Sequence, residues 1–165
     1  MRKFCVLILG LLMSGCHKPA APLPQQANKI TISKSQHSMT LWSGDKILKT
    51  YKVALGRGKG EAKSHQGDHE TPEGTYVIDS KNSKSRFHLA LHVSYPNAED
   101  IKRAKSKGLS PGGDIMIHGV HSGFQWLGGL QHDIDWTDGC IAVTDSEIEE
   151  IFAAVPIGTP IQISH

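Results

Sequence analysis

Two residues carry the sharpest chemistry in this chain. Cys140 lies in the run Thr137-Asp138-Gly139-Cys140-Ile141-Ala142-Val143, and His118 lies upstream in Ile117-His118-Gly119. A Cys that follows a Gly can be presented on a tight turn beside free backbone N–H groups, because Gly accepts backbone angles closed to other residues. A His brought alongside can take the thiol proton and generate a nucleophile near neutral pH. The pair therefore reads as a thiol nucleophile with its base.

The other two of the three cysteines, Cys5 and Cys16, fall in the first sixteen residues. That stretch has a basic start, Met1-Arg2-Lys3, then an apolar run from Phe4 to Met13. The run is well short of the roughly 20 residues that span a bilayer, but it suits the core of a secretory signal. Residues 17–28 are rich in Pro and Ala and lack a hydrophobic pattern, as expected of a tether. The domain proper, residues 29–165, then holds Cys140 as its lone thiol, so it has no internal disulfide. A free thiol outside the cytoplasm is open to oxidation, so its retention points to use. The alternative is an inert buried Cys.

Once Arg2 and Lys3 are set aside, acidic and basic residues balance. That gives no support to nucleic-acid binding, which draws on excess positive charge. There are ten His, but no Cys-x-x-Cys or His-x-x-x-His pair of the kind zinc sites use. His118 and His121 would face opposite sides of a strand. No metal and no cofactor are expected. The Gly56-to-Ser64 stretch mimics a phosphate loop, but Ala62 stands where its second Gly is required.

These residues need a frame to hold them. Short β-prone runs occur at Lys29–Ser33 and Met39–Trp42, and alternation at Lys46–Leu55 beyond the turn Ser43-Gly44-Asp45 predicts a hairpin. Further strands are predicted over Thr75–Asp79, Phe87–Val93, Asp114–His118, Ile141–Val143 and Thr159–Ile163, and residues 56–70 read as a loop. Pro96–Lys107 has helical composition. Thr144 with Glu147 forms a capping box for a second helix, whose stripe is Ile148, Ile151, Phe152 and Val155. The expected fold is mainly β with peripheral helices, a sandwich or barrel-like sheet.

Four pieces in order, Leu41–Val53, Glu70–Tyr76, Gly113–Gly119 and Thr137–Val143, resemble the L,D-transpeptidase catalytic domain of the YkuD type. Asp135–Val143 (DWTDGCIAV) and Ser94-Tyr95-Pro96-Asn97 resemble one subgroup of it. The resemblance implies a peptidoglycan enzyme. A Cys thiolate attacks the carbonyl between the third stem-peptide residue, usually diaminopimelate, and a terminal D-Ala. The resulting thioester passes to an amine, giving a 3–3 cross-link or protein attachment, or to water. One branch works in reverse as an amidase that releases murein-attached protein.

Carried onto this chain, the resemblance makes Cys140 the nucleophile, His118 the general base and acid, and the Gly139 and Cys140 N–H groups oxyanion donors. Thr137 would support the turn and orient His118. Gly119, Asp138, Trp136 and Arg86 are assigned to the substrate side. Two positions depart from the family pattern. Asp138 stands where many members have His, and a carboxylate there would oppose thiolate formation unless it points away, pairs with a cation or orients a His. Ala142 stands where many carry Arg. Arg57, Lys59, Lys63 and Arg86 are the cations that could replace it. Met13-Ser14-Gly15-Cys16 resembles a lipobox, implying a lipid on Cys16 and a monomer anchored to a bacterial membrane and facing the periplasm. His17 favours the outer membrane. The rivals are a non-catalytic peptidoglycan-binding module and a zinc-dependent hydrolase.

Overall fold

The computed structural model describes residues 23–121, 123 and 125–165, with only the backbone of 125–127. The signal segment, Cys16 and most of the tether lie outside the described residues, as does the Trp126 side chain. The described part is one sheet of eight strands with two helices, as the alternation patterns predict. The strands are β1 (Lys29–Ser33), β2 (Ser38–Ser43), β3 (Lys46–Lys52), β4 (Gly74–Ser85), β5 (His88–Val93), β6 (Met116–His118), β7 (Ile141–Ala142) and β8 (Pro160–Ser164). Their order is β3-β2-β1-β8-β4-β5-β6-β7.

The sheet curls. Its register shifts within β4, between Ile78 and Ser80 and between Asn82 and Ser85, and bulges of this kind increase local twist. The curl brings its two edges together. Ala54, just past β3, pairs with Ala142 of β7 through two backbone hydrogen bonds of 3.0 and 2.8 Å. Gly56 bridges Thr137 in the parallel sense, the Thr137 N–H donating to the Leu55 carbonyl and the Arg57 N–H to the Thr137 carbonyl. The interior is filled by inward-facing Ile30, Ile32, Met39, Leu41, Ile78, Leu91, Ile117, Ile141 and Ile161, all essentially solvent-free.

Helix α1 (Ala98–Ser106) starts two residues later than its composition suggests. The Asn97 side chain caps it by accepting from the Glu99 and Asp100 N–H groups, which is what Asn does best at this position. Helix α2 (Asp145–Ala154) carries the predicted capping box between Thr144 and Glu147. Ile148, Ile151 and Val155 are buried, with Phe152 packed at the core's margin.

Two predicted elements are corrected and one unpredicted element is found. Strand β6 begins at Met116 rather than Asp114, because Asp114 takes a left-handed conformation (φ 57°) that a strand cannot continue through. Strand β4 runs on to Ser85 through a polar stretch, Ser80–Ser85, supported by its ladder with β5 rather than by burial. Residues Gln125–Asp133 form a 3-10 segment broken at Gly128 (φ 49°), which no hydrophobic period announced.

Candidate active site

The site forms where the sheet closes. Strands β6 and β7 are parallel neighbours, with Ile117 opposite Ile141 and His118 opposite Ala142. Side chains alternate along each strand. Cys140 therefore comes beside Met116 and lies diagonally from His118 on the same face. The sulfur confirms the placement. Cys140 Sγ–H donates to the Asp114 carbonyl at 3.6 Å, and the Met116 N–H is directed at the sulfur.

The turn before Cys140 is built by Thr137. Its hydroxyl donates to the Cys140 carbonyl (2.8 Å) and accepts from the Gly139 N–H (3.1 Å). Gly139 sits at φ 124°, and a Cβ there would lie 2.6 Å from the Glu70 carbonyl. Both the angle and the close approach require Gly. Gly139→Ala is thus expected to push the turn off the Glu70 backbone and to reduce turnover by at least about tenfold, on the order of the 1–3 kcal/mol such strain costs. Steady-state rates and a thermal melt of the variant check this.

The Gly139 N–H is engaged within the turn by the Thr137 hydroxyl, and the Thr137 carbonyl accepts from the Arg57 N–H (2.9 Å). His118 Nδ1–H donates to the Gly119 carbonyl at 2.7 Å. That hydrogen bond places the proton on Nδ1 and leaves Nε2 bare, the tautomer a base requires.

Phe87 covers the His118 ring at a centroid distance of 4.5 Å, and Trp136 meets it edge-on at 5.7 Å. Gly119 lets the strand end close down. A Cβ there would lie 2.6 Å from Asp145 Oδ1 and 3.0 Å from the Phe87 carbonyl.

Burial sets the resting protonation states. It lowers the His118 pKa below the ordinary imidazole value, although the hydrogen bond to Gly119 pulls the other way. It raises the Cys140 pKa above the ordinary thiol value. The Met116 N–H and Lys63 oppose that rise, while Asp138 and Asp114 add to it. Both directions favour the neutral thiol and neutral imidazole over thiolate and imidazolium. Alkylation of Cys140 by iodoacetamide should accordingly climb with pH through a limb above the ordinary thiol pKa of 9.0. A limb near pH 6 in a stopped-time mass-spectrometric assay would show a preformed ion pair instead.

Asp138 does not face the sulfur as an unpaired charge. Arg57 holds it at 3.0 Å through Nε and 2.9 Å through Nη2, and His69 Nδ1 lies 2.8 Å away. Arg57 in particular keeps its carboxyl below the usual range. Arg86 is exposed in the β4–β5 turn and does not line the cleft beside the thiol. Ala142 is fully buried, with its backbone paired to Ala54.

A cleft of about 290 Å³, walled by Lys63, Gln66, His69, Asp114 and Asp138 with Gly67, Gly112 and Gly113, adjoins the site through Asp114 and Asp138, although neither Cys140 nor His118 lines it. Sequence reasoning missed Phe87, Asp114 and Met116. Only the Gly112-Gly113 pair before Asp114 signalled an unusual backbone there. Among the described residues, no group of three or more His, Cys, Asp or Glu side chains is placed to hold a metal ion.

Comparison with known proteins gives a consistent picture. The family model for YkuD, the L,D-transpeptidase catalytic domain, matches residues 27–163. YafK of Escherichia coli (strain K12), a candidate L,D-transpeptidase, is 28% identical over 97% of this chain. The chain spans 64% of that relative's length. Among solved structures, the helical cell shape determining protein Pgp2 of Campylobacter jejuni superposes with a TM-score of 0.64 at 23% identity, over 87% of this chain and 49% of its own. L,D-transpeptidase 1 of Mycobacterium tuberculosis gives 0.52 at 18% identity, over 84% and 62%. Both share the curled sheet.

Proposed function

Because this chain belongs to the YkuD family of L,D-transpeptidase catalytic domains, we propose that it is a cysteine acyltransferase acting on peptidoglycan stem peptides. The observation that carries this reading is the bare Nε2 of His118, fixed by the Nδ1 bond to Gly119, on the same strand face as Cys140.

In the first half-reaction the Cys140 sulfur attacks the carbonyl between the third stem residue and the terminal D-Ala, while His118 Nε2 takes the thiol proton. Proton transfer accompanies attack, since the resting thiol is neutral. The Cys140 N–H would donate to the carbonyl oxygen as negative charge grows on it, and a donor of that kind is worth about 3–4 kcal/mol. His118 then returns the proton to the amine of D-Ala, which leaves, and a thioester on Cys140 remains. In the second half an amine gives up a proton to His118 and takes the acyl group, forming a 3–3 cross-link or attaching a protein. Water in its place gives carboxypeptidase activity. With a protein-linked stem as substrate, the protein amine leaves as the thioester forms and water then hydrolyses it, which gives an amidase.

The test is product analysis by mass spectrometry, with disaccharide-tetrapeptide and with sacculi carrying attached protein as substrates. Release of D-Ala that Cys140→Ala abolishes supports the reading, and dimers against tripeptide separate transfer from hydrolysis. Unchanged substrate in both assays would instead favour a binding module.

The finer placement is also a proposal. A signal in residues 1–16, lipid on Cys16 and a tether to residue 28 would hold the domain on the outer membrane, facing the periplasm, as a member of the DWTDGCIAV subgroup. Cys16→Ala should move the protein from the membrane fraction to the soluble fraction. Persistent sedimentation with membranes would contradict this.

A further inference from the structure

We propose that Lys63, fixed by Asp68, is the specificity-determining cation of the cleft and binds a carboxylate of the stem peptide. This rests on the transpeptidase reading above. Lys63 is unusual in being almost fully buried, with its side chain 4% exposed, while still lining the cleft. An ammonium carries three N–H donors. Lys63 Nζ gives one to Asp68 Oδ1 at 2.7 Å and one to the His65 carbonyl at 3.1 Å. The third has no hydrogen-bond acceptor among the described residues.

The loop around it is rigidly built. Besides Lys63, Asp68 accepts from the backbone N–H groups of Ser64 (2.7 Å), His65 (3.0 Å) and Glu70 (3.1 Å). Burial opposes its ionisation, yet the Lys63 hydrogen bond and these N–H groups hold its carboxyl far below the usual range. From α1, Arg103 Nη1 donates to the Lys63 carbonyl at 3.1 Å. A cation held in this way gives up little side-chain freedom on binding, so its hydrogen bond counts nearly in full.

The other cations near the site are less suited. Arg57 is engaged with Asp138, and Lys59 and Arg86 are exposed and do not line the cleft. Lys63 shares the cleft wall with Asp114, whose carbonyl lies 3.6 Å from the Cys140 sulfur. A Lys that only balanced Asp68 would have no need to face the cleft.

Three substrates test this. The parent is disaccharide-tetrapeptide. One analogue has the side-chain carboxylate of the diaminopimelate residue amidated, and the other ends in D-alaninamide. The wild-type protein should lose about 10- to 100-fold in kcat/KM on one analogue, mostly through KM, as expected for a lost hydrogen bond to a charged group. The analogue that suffers identifies the carboxylate. Lys63→Gln should show a similar loss on the parent and no longer distinguish that analogue, and Lys63→Arg should recover part of the discrimination.

Wild type indifferent to both amidations, or Lys63→Gln keeping the wild-type preference, overturns the proposal alone. Absence of any Cys140-dependent turnover of the parent overturns the transpeptidase reading and this proposal with it. The wild-type comparison needs no variant, so a misfolded Lys63→Gln protein would not shield the idea.

Discussion

Replacing Cys140 by Ser should reduce turnover of stem tetrapeptide by about 10⁴-fold or more, as loss of a nucleophile does in related acyl-transfer chemistry. The substitution is small, and the sulfur's hydrogen bond is a long 3.6 Å contact to the Asp114 carbonyl. Folding should hardly change, and a thermal melt within a few degrees of wild type would establish that. The loss is chemical. An alcohol is a far weaker acid than a thiol, and burial has lowered the His118 pKa, so His118 is too weak a base to activate it. Activity above a tenth of wild type would place the nucleophile elsewhere.

His118→Gln should cost about 10²–10⁴-fold, the usual contribution of a positioned acid–base group. Here the pH profile is more telling than the size of the loss. In the wild type the acid limb of kcat/KM should lie below the ordinary imidazole pKa of 6.5, because burial favours the neutral ring. His118→Gln should lose that limb and show a rate rising with pH towards alkaline values, since Cys140 must then ionise unaided from a raised pKa. A wild-type limb above pH 6.5, or a variant that keeps the acid limb, would remove His118 from the base role. Stability follows the same sign. A His whose folded pKa is depressed contributes stability that is present above the unfolded value and lost as pH falls through the folded one. Acid sensitivity from this residue therefore begins below about 6.5.

Much of this was legible in the sequence for physical reasons. Alternation marks strands that bury one face, so β1, β2, β5 and β8 were readable. The Thr144–Glu147 capping box fixed the start of α2 almost to the residue. Cys140 and His118 stood out because a Cys after Gly and a His before Gly each ask for a special backbone. What escaped was long-range. Nothing local says that Ala54 will pair with Ala142 and close the sheet, and it is this closure that sets Thr137 beside Leu55 and Arg57. The Gly139 N–H was expected to face substrate because no rule of sequence reveals that the Thr137 hydroxyl will take it. Asp138 was the hardest case. Its carboxylate argues against a thiolate neighbour until Arg57, 81 positions away, is seen to pair with it, with His69 alongside. That separation is invisible to any window of sequence. Lys63 was one of four cations the sequence could not rank, and only its burial at the cleft wall distinguishes it.

The central claim is that Cys140 becomes acylated by a stem peptide. The most direct measurement is intact-protein mass spectrometry of the wild type and Cys140→Ala after brief mixing with disaccharide-tetrapeptide and an acid quench, followed by peptide mapping. The account predicts a mass gain equal to the substrate less D-Ala, on the peptide containing Cys140, and no gain in the variant. D-Ala release with no adduct on Cys140 at any quench time, or equal release by Cys140→Ala, would contradict it.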